Sequence, residues 1–107
     1  MWNEPNKARL AKIPRLYETQ NIPVKDKLIY LHFFIGDCDW YVAEYDDDRF
    51  WGYVILNGNT INAEWGYFSF HDLKSIRTHG WVQIDCESEK LWEVKKASEI
   101  KKIRIYR

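Results

Sequence analysis

Residues 28–70 read LIYLHFFIGDCDWYVAEYDDDRFWGYVILNGNTINAEWGYFSF. Runs of β-branched and aromatic residues are separated here by short clusters of Gly, Asp and Asn, a pattern typical of strands joined by turns. Thirteen of the chain's eighteen aromatic residues lie in this stretch. The stretch therefore predicts a sheet whose aromatic side chains form either a packed core or a stacking surface for a ligand, and the sequence leaves both alternatives open.

The pattern predicts four strands in this stretch, at residues 28–35, 39–46, 50–56 and 63–70. The pair Asn57-Gly58 is a strong hairpin signal, because both residues tolerate positive φ. The connections are short, and parallel pairing would need crossovers of about a dozen residues or more. Consecutive strands are therefore expected to pair as an antiparallel meander.

The N-terminal segment carries weaker signals. Asn3 is a candidate N-cap for a short helix that ends near Ile13, since Pro14 limits it. Residues 15–27 show no clear period and are predicted to form an extended arm anchored by Tyr17 and Ile22.

After the meander the spacing of the apolar residues changes from that of a strand to that of a helix. Ser69 is predicted to cap a helix of about two turns near residues 70–78. Short strands at 81–85 and 91–94 and a helical turn at 97–103 complete the expected elements.

The length of 107 residues and the apolar content of 46% fit one domain with a single core. The expected class is α+β, a single domain with a mainly antiparallel sheet, made of the meander and one or two short strands, with short helices. The domain, residues 1–107, is expected to divide into an N-terminal helix and arm (1–27), a sheet core (28–94) and a basic C-terminal segment (95–107).

The formal net charge is zero, but its distribution is uneven: residues 26–90 carry twelve acidic and five basic side chains, and both ends are basic. Only the stretch from Lys95 to Arg107 resembles a phosphate-binding patch, and a solvated basic tail is the favoured interpretation of it. A protein partner or a small ligand is therefore expected rather than nucleic acid.

The compartment is predicted from what the chain lacks. No long uncharged apolar run and no secretory-type N-terminus are present, so we expect a cytoplasmic protein that does not enter a membrane. Cys38 and Cys86 are accordingly expected to be free thiols.

No cofactor, metal site or catalytic residue is predicted. The aspartates at 37, 39 and 46–48 do not match a calcium-binding loop, and the Cys and His spacing does not suit zinc. There is no Gly-rich phosphate loop and no Gly-x-Ser-x-Gly turn.

Period-two alternation places Glu44 on one face of its strand with Trp40 and Val42, and Tyr45 on the other face. Neither this strand nor the 63–70 strand has a cleanly polar face, so both faces are expected to be partly covered. A carboxylate in such a setting is paired or hydrogen-bonded, and such groups collect at functional sites. The candidate binding residues are the carboxylates, large aromatics and histidine of these strands: Asp39, Trp40, Glu44, Glu64, Trp65, Tyr67 and His32.

Two interpretations of the carboxylates remain open. Glu44 and Glu64 could form the acid-base pair of a small hydrolase, with His32 nearby, provided that they converge in one pocket. The alternative is structural: ion pairs with Arg49, Lys74 or Arg77 for the carboxylates, and simple packing for the histidine.

The chain also resembles a known family. The motifs Asp39-Trp40-Tyr41 and Glu64-Trp65-Gly66-Tyr67, within a match from Ile22 to Ile100, closely resemble domain-of-unknown-function family 2958. That resemblance implies a small bacterial protein of the kind carried on plasmids, phages and other mobile elements, with no assigned activity. His79-Gly80-Trp81-Val82-Gln83 departs from the charged run found in many relatives, so any role of charges there is not carried over.

The leading hypothesis is a non-catalytic binding or accessory module that uses the surface of the second and fourth strands. A hydrolase is the second hypothesis. The third, motivated by the mobile-element resemblance, is an acidic surface that imitates nucleic acid and occupies a host defence protein. A homodimer through a sheet edge or an aromatic patch is compatible with each.

Overall fold

The computed structural model describes residues 1–105. In chain order the helices and strands are α1 (Lys7–Leu10), β1 (Leu28–Ile29), β2 (Leu31–Ile35), β3 (Cys38–Asp46), β4 (Arg49–Ile55), β5 (Glu64–Ser69), α2 (Phe70–Ser75), β6 (Arg77–Thr78), β7 (Val82–Gln83), β8 (Asp85–Cys86) and β9 (Lys95–Lys96). Two 3-10 turns, Val24–Asp26 and Ala97–Glu99, precede β1 and follow β9. No helix within this part of the chain is both long and apolar enough to cross a membrane.

The main sheet has five strands in the order β5-β4-β3-β2-β8, and every neighbouring pair is antiparallel. The meander of four consecutive strands, β2 to β5, is therefore confirmed, as is the α+β class. Two small ladders, β1 with β9 and β6 with β7, lie outside this sheet.

The third turn of the meander is longer than the first two. Ile35 pairs with Cys38 and Asp46 with Arg49, so the first two connections are two-residue hairpin loops. Asp47 and Asp48 both have positive φ, 45° and 70°, as a tight hairpin with right-handed strand twist requires. Asn57-Gly58 also has positive φ at both residues, but β5 begins only at Glu64, so this turn opens a longer loop rather than a tight hairpin.

A β-bulge interrupts the pairing of β3 with β4. Val42 lies opposite Gly52 and Glu44 lies opposite Trp51, so β3 has one extra residue here. A Cβ atom at Gly52 would lie 1.8 Å from the Tyr41 carbonyl oxygen, which means that only glycine permits this close approach.

The bulge changes which face each later side chain occupies. Trp51 packs with the cluster that contains Tyr41, so Glu44, paired with Trp51, lies on that face. Tyr45 instead packs against the cluster that contains Trp40. The period-two prediction for Glu44 and Tyr45 was therefore wrong, because it assumed a strand without an inserted residue.

Both faces of the sheet are covered. One face packs against Ile13, Phe70 and Leu73, which come from the N-terminal segment and α2. The other packs against Ala97, Ile100 and Ile103, so the C-terminal segment lies across it. We call these the α2 face and the C-terminal face.

The N-terminal segment differs from the prediction. Asn6, not Asn3, caps α1 by accepting a hydrogen bond from Arg9 N, while Asn3 binds Asp85 instead. The arm is not extended but made of turns, and Tyr17 and Ile22 are exposed, so they do not anchor it. Its buried side chains are polar.

The C-terminal half differs in detail. Ser69 caps α2 by accepting from Asp72 N, as predicted. The helix ends at Ser75, and the predicted strand at 81–85 is divided between β7 and β8. Residues 91–94 are not a strand, and the helical turn at 97–103 is limited to Ala97–Glu99.

Candidate functional site

The predicted site residues occupy three parts of the fold. Trp40 lies in the core of the α2 face. His32 and Asp39 belong to a buried charged cluster between β2 and β3. The other four, Glu44, Glu64, Trp65 and Tyr67, lie near the edge strand β5.

The sheet separates the two glutamates. Glu44 lies on the C-terminal face, whereas Glu64 pairs with Val54, which packs against the α2 face. Trp65 and Tyr67 share the face of Glu44, because they pair with Tyr53 and Trp51. The convergence that a two-carboxylate hydrolase requires is therefore not formed.

The charged cluster is built around His32. Its Nε2 lies 2.7 Å from Asp39 Oδ1 and its Nδ1 lies 2.7 Å from Glu87 Oε1. Both ring nitrogens therefore face carboxylate oxygens at hydrogen-bonding distance. Lys102 Nζ donates to the other oxygen of Asp39 at 3.1 Å, which ties the C-terminal segment to the sheet.

Aromatic rings enclose the same cluster. The Tyr41 ring stacks on His32 at a centroid distance of 4.4 Å and an angle of 6°, and Trp92 lies 5.5 Å away. Burial, with Asp39 and Glu87 adding to it, raises the pKa of Tyr41, so its hydroxyl stays protonated. A cavity of about 450 Å³ borders the cluster, but both His32 nitrogens already face carboxylate oxygens, so the imidazole is not free to act as a base there.

A second polar network joins β3 to the N-terminal arm, with Glu44 at its centre. Glu44 is only 5% exposed. Its Oε1 accepts from Tyr17 N at 2.9 Å, and its Oε2 accepts from both Thr19 N, at 3.2 Å, and the Thr19 hydroxyl. Both carboxylate oxygens are thus committed to holding the arm.

Lys27 completes this network. Its Nζ donates to the carbonyl oxygen and, at 2.9 Å, to the hydroxyl of Thr19, which in turn donates to Glu44. Burial lowers the pKa of Lys27, and the Glu44 carboxylate opposes that shift. The hydroxyl of Thr19 therefore connects a buried ammonium group to a buried carboxylate.

Aromatic residues form the walls of a cleft of about 270 Å³ above this network. Tyr17 and Tyr67 are 56% and 51% exposed, and their ring centroids lie 6.5 Å apart. Trp51 also lines the cleft, and its ring stacks on that of Trp65 at a centroid distance of 5.0 Å. We call this the aromatic cleft; it is lined by Tyr17, Gln20, Lys27, Glu44, Trp51 and Tyr67.

The position of Tyr17 depends on Glu44. Tyr17 has a φ of 72°, a left-handed conformation that is strained for a large side chain. Its backbone N–H donates to Glu44, so the buried carboxylate holds the strained residue at the rim. This contact sets the position of the Tyr17 backbone beside the cleft.

Sequence reasoning missed most partners in both networks. Thr19, Lys27, Glu87 and Lys102 were not among the candidate site residues, and Tyr17 was taken for an anchor. Glu87 and Lys102 contact residues 55 and 63 positions away in the chain, and no local pattern marks such pairs. One local signal was present: Lys27 is a charged residue directly before an apolar strand.

The two thiols have different surroundings. Both cysteines are free, Cys38 partly exposed and Cys86 buried. Burial raises the pKa of Cys86 to about 11, although Arg9 opposes the shift. We expect one thiol to react rapidly with Ellman's reagent near neutral pH and the second to react only after unfolding, because the thiolate is the reactive form.

The Cys38→Ser variant shows which cysteine gives the fast reaction and which gives the slow one. It is expected to lose the fast reaction and to keep the slow one, measured by absorbance with and without denaturant. Rapid reaction of two thiols in the folded wild-type protein would contradict the burial of Cys86.

Comparisons with protein-family models, with curated proteins and with solved structures yield no match to this chain. The resemblance to family 2958 therefore stays a prediction. Within residues 1–105, no group of three or more His, Cys, Asp or Glu side chains is arranged to hold a metal ion.

Proposed function

We propose that this chain is a non-catalytic binding module of the cytoplasm that captures a protein partner through the aromatic cleft. The observation that carries the proposal is the pair Tyr17 and Tyr67, both more than half exposed, beside the hydrogen-bonded side chains of Glu44 and Lys27. The module presents its aromatic side chains to a partner while the polar groups below fix their positions.

Exposed aromatic rings are well suited to this role. Tyrosine and tryptophan dominate the binding energy of many protein interfaces, because they bury large areas and lose little rotamer entropy. The polar network limits movement of the Tyr17 backbone, so little ordering remains to be done when a partner binds.

The chemistry of the site favours binding over catalysis. Both Glu44 oxygens accept hydrogen bonds from the arm, and both His32 nitrogens face carboxylates. Cys86 is buried, and its raised pKa disfavours the thiolate. These groups stabilise the fold; His32 and Cys86 lie outside the cleft, and Glu44, which lines it, has both oxygens occupied.

An acidic mimic of nucleic acid is less well supported. Many of the central carboxylates are already bound by donors of the same chain: Asp26, Asp39, Glu44, Asp46, Asp48, Asp85 and Glu87. Their charge is partly neutralised within the protein, which weakens the negative field that such a mimic needs. A bacterial or mobile-element origin follows only from the resemblance to family 2958 and remains part of this proposal.

The test is a selection of peptides from a phage-displayed random library on immobilised protein. We expect enriched peptides whose affinity, measured by isothermal titration calorimetry, falls about tenfold or more in Tyr67→Ala and in Trp51→Ala, since such aromatic residues commonly contribute more than 1 kcal/mol.

Trp81→Ala is the matched control, because Trp81 is 78% exposed in the loop between β6 and β7 and does not line the cleft. Its peptide affinity should equal that of the wild type. Failure to enrich any peptide, or equal binding to all variants, would refute the proposed function.

A further inference from the structure

We infer that the partner binds as an extended peptide that adds a sixth strand to the edge of β5, with an apolar or aromatic side chain in the aromatic cleft and a lysine or arginine beside Glu64. This inference rests on the proposed function and names the form and the chemistry of the partner. Three observations lead to it: the free edge, the two cavities that flank it and the charge of one of them.

The free edge is β5 itself. Within residues 1–105, β5 pairs only with β4, through six consecutive residue pairs from Glu64 to Ser69 without a register shift. Protein edges are commonly protected by Pro, charged side chains or a bulge; β5, with the sequence EWGYFS, has no Pro or bulge, and its one charged side chain is Glu64 at its first residue. It presents a regular row of main-chain groups about 20 Å long.

Cavities flank this edge on both faces of the sheet. The aromatic cleft lies on the C-terminal face. On the α2 face a cavity of about 560 Å³ is lined by Val54, Leu56, Glu64 and Gly66, together with asparagines of the loop before β5. Tyr67 lines both cavities, so they meet at the edge strand.

This arrangement matches an added strand. Successive side chains of an extended peptide point to opposite faces of a sheet, so neighbouring residues would enter the two cavities in turn. Main-chain hydrogen bonds to a sheet edge supply affinity in such complexes, and the pockets for alternate side chains supply specificity.

The cavity on the α2 face selects the charge of the peptide. Glu64 is exposed, and its carboxylate makes no hydrogen bond or ion pair with another of the described residues. Val54 and Gly66 leave an apolar space next to its carboxylate, where a Cβ at Gly66 would meet no atom within 4 Å. A lysine or arginine fits here, since its methylene groups pack on apolar surface while its charge reaches Glu64.

A second copy of this chain fits the same edge less well. The strand it would contribute, β5, contains no lysine or arginine, so a β5-to-β5 pairing brings no cation from that strand to Glu64. The sequence requirement is thus met by a basic peptide from a different protein.

The test is amide hydrogen exchange, followed by NMR, of the protein with and without the highest-affinity selected peptide. We expect every second amide of β5 to exchange at least about tenfold more slowly when the peptide is bound, because only those amides face the added strand. N-methylation of the peptide at alternate residues should abolish binding, whereas methylation at the residues between should not.

Charge is tested separately. Glu64→Lys is expected to weaken binding about tenfold, and Asp72→Lys, a change of the same charge at an exposed site on α2, should leave it unchanged. Equal effects of the two variants would refute the role of Glu64.

The outcomes separate this inference from the function on which it rests. Binding that depends on Tyr67 without protection of β5 amides would overturn the added strand and leave the binding function standing. Absence of any selected peptide would overturn both. Protection of β5 that grows with protein concentration in the absence of peptide would identify a second copy as the occupant and overturn the inference.

Discussion

Replacing His32 with leucine is expected to lower the free energy of unfolding by about 3 kcal/mol or more, because it leaves a buried carboxylate without its main partner. Asp39 is 3% exposed and would retain only Lys102, whose side chain is largely in solvent. Urea denaturation followed by tryptophan fluorescence measures the loss as a lower midpoint. A loss of this size is a large fraction of the stability of an ordinary small domain.

Two further variants make the result specific. Asp39→Asn combined with His32→Leu removes the unpaired charge as well, so it should recover part of the lost stability. His71→Leu is the control, because His71 is exposed on α2 and its side chain makes no hydrogen bond to another described residue. If His32→Leu and His71→Leu had equally small effects, the cluster would not contribute to stability.

The second large effect is expected for Glu44→Gln, which should cost about 2–4 kcal/mol. A glutamine side chain has an NH₂ group in place of one carboxylate oxygen. This NH₂ group would face either Tyr17 N or the two donors of Thr19, and two donors cannot form a hydrogen bond with each other. Lys27 would at the same time lose the carboxylate that balances its buried charge. Denaturation midpoints report the loss, and the same variant should weaken the selected peptides, since Tyr17 is no longer held at the rim.

Glu64→Gln is the matched control for stability. Glu64 is exposed on the edge strand, and the change should leave the denaturation midpoint unaltered. The contrast is informative because the sequence predicts both glutamates as candidate site residues on partly covered strands. Equal losses in both variants would contradict the different environments that the structure gives them.

How far the sequence predicts the fold depends on how local each signal is. Asp46-Asp47-Asp48 forms a tight turn and Ser69 caps a helix through contacts within a few residues, so both were predictable. The strand predicted at 81–85 failed because its two halves have different partners: Val82–Gln83 pairs with the nearby Arg77–Thr78, whereas Asp85–Cys86 pairs with the distant Phe33–Phe34. Propensity alone does not reveal which partner a short segment finds.

The candidate site shows the same division. Alternation of apolar residues identified Glu44, Trp65 and Tyr67 as side chains of interest on a covered sheet. It could not supply the buried donors of the arm, because Thr19 and Lys27 reach Glu44 only after the arm folds over β3.

By itself the amino-acid sequence determined the α+β class, the antiparallel meander and the position of its aromatic residues, since turn chemistry and period-two alternation act between near neighbours. The tertiary structure alone decided which face each functional side chain occupies. Gly52 lets the Tyr41 carbonyl approach closely, β3 takes in one extra residue, and Glu44 turns to the face of Tyr67 and away from that of Glu64. A contact between two strands thus sets the direction of a side chain, and no alternation within one strand could have predicted it.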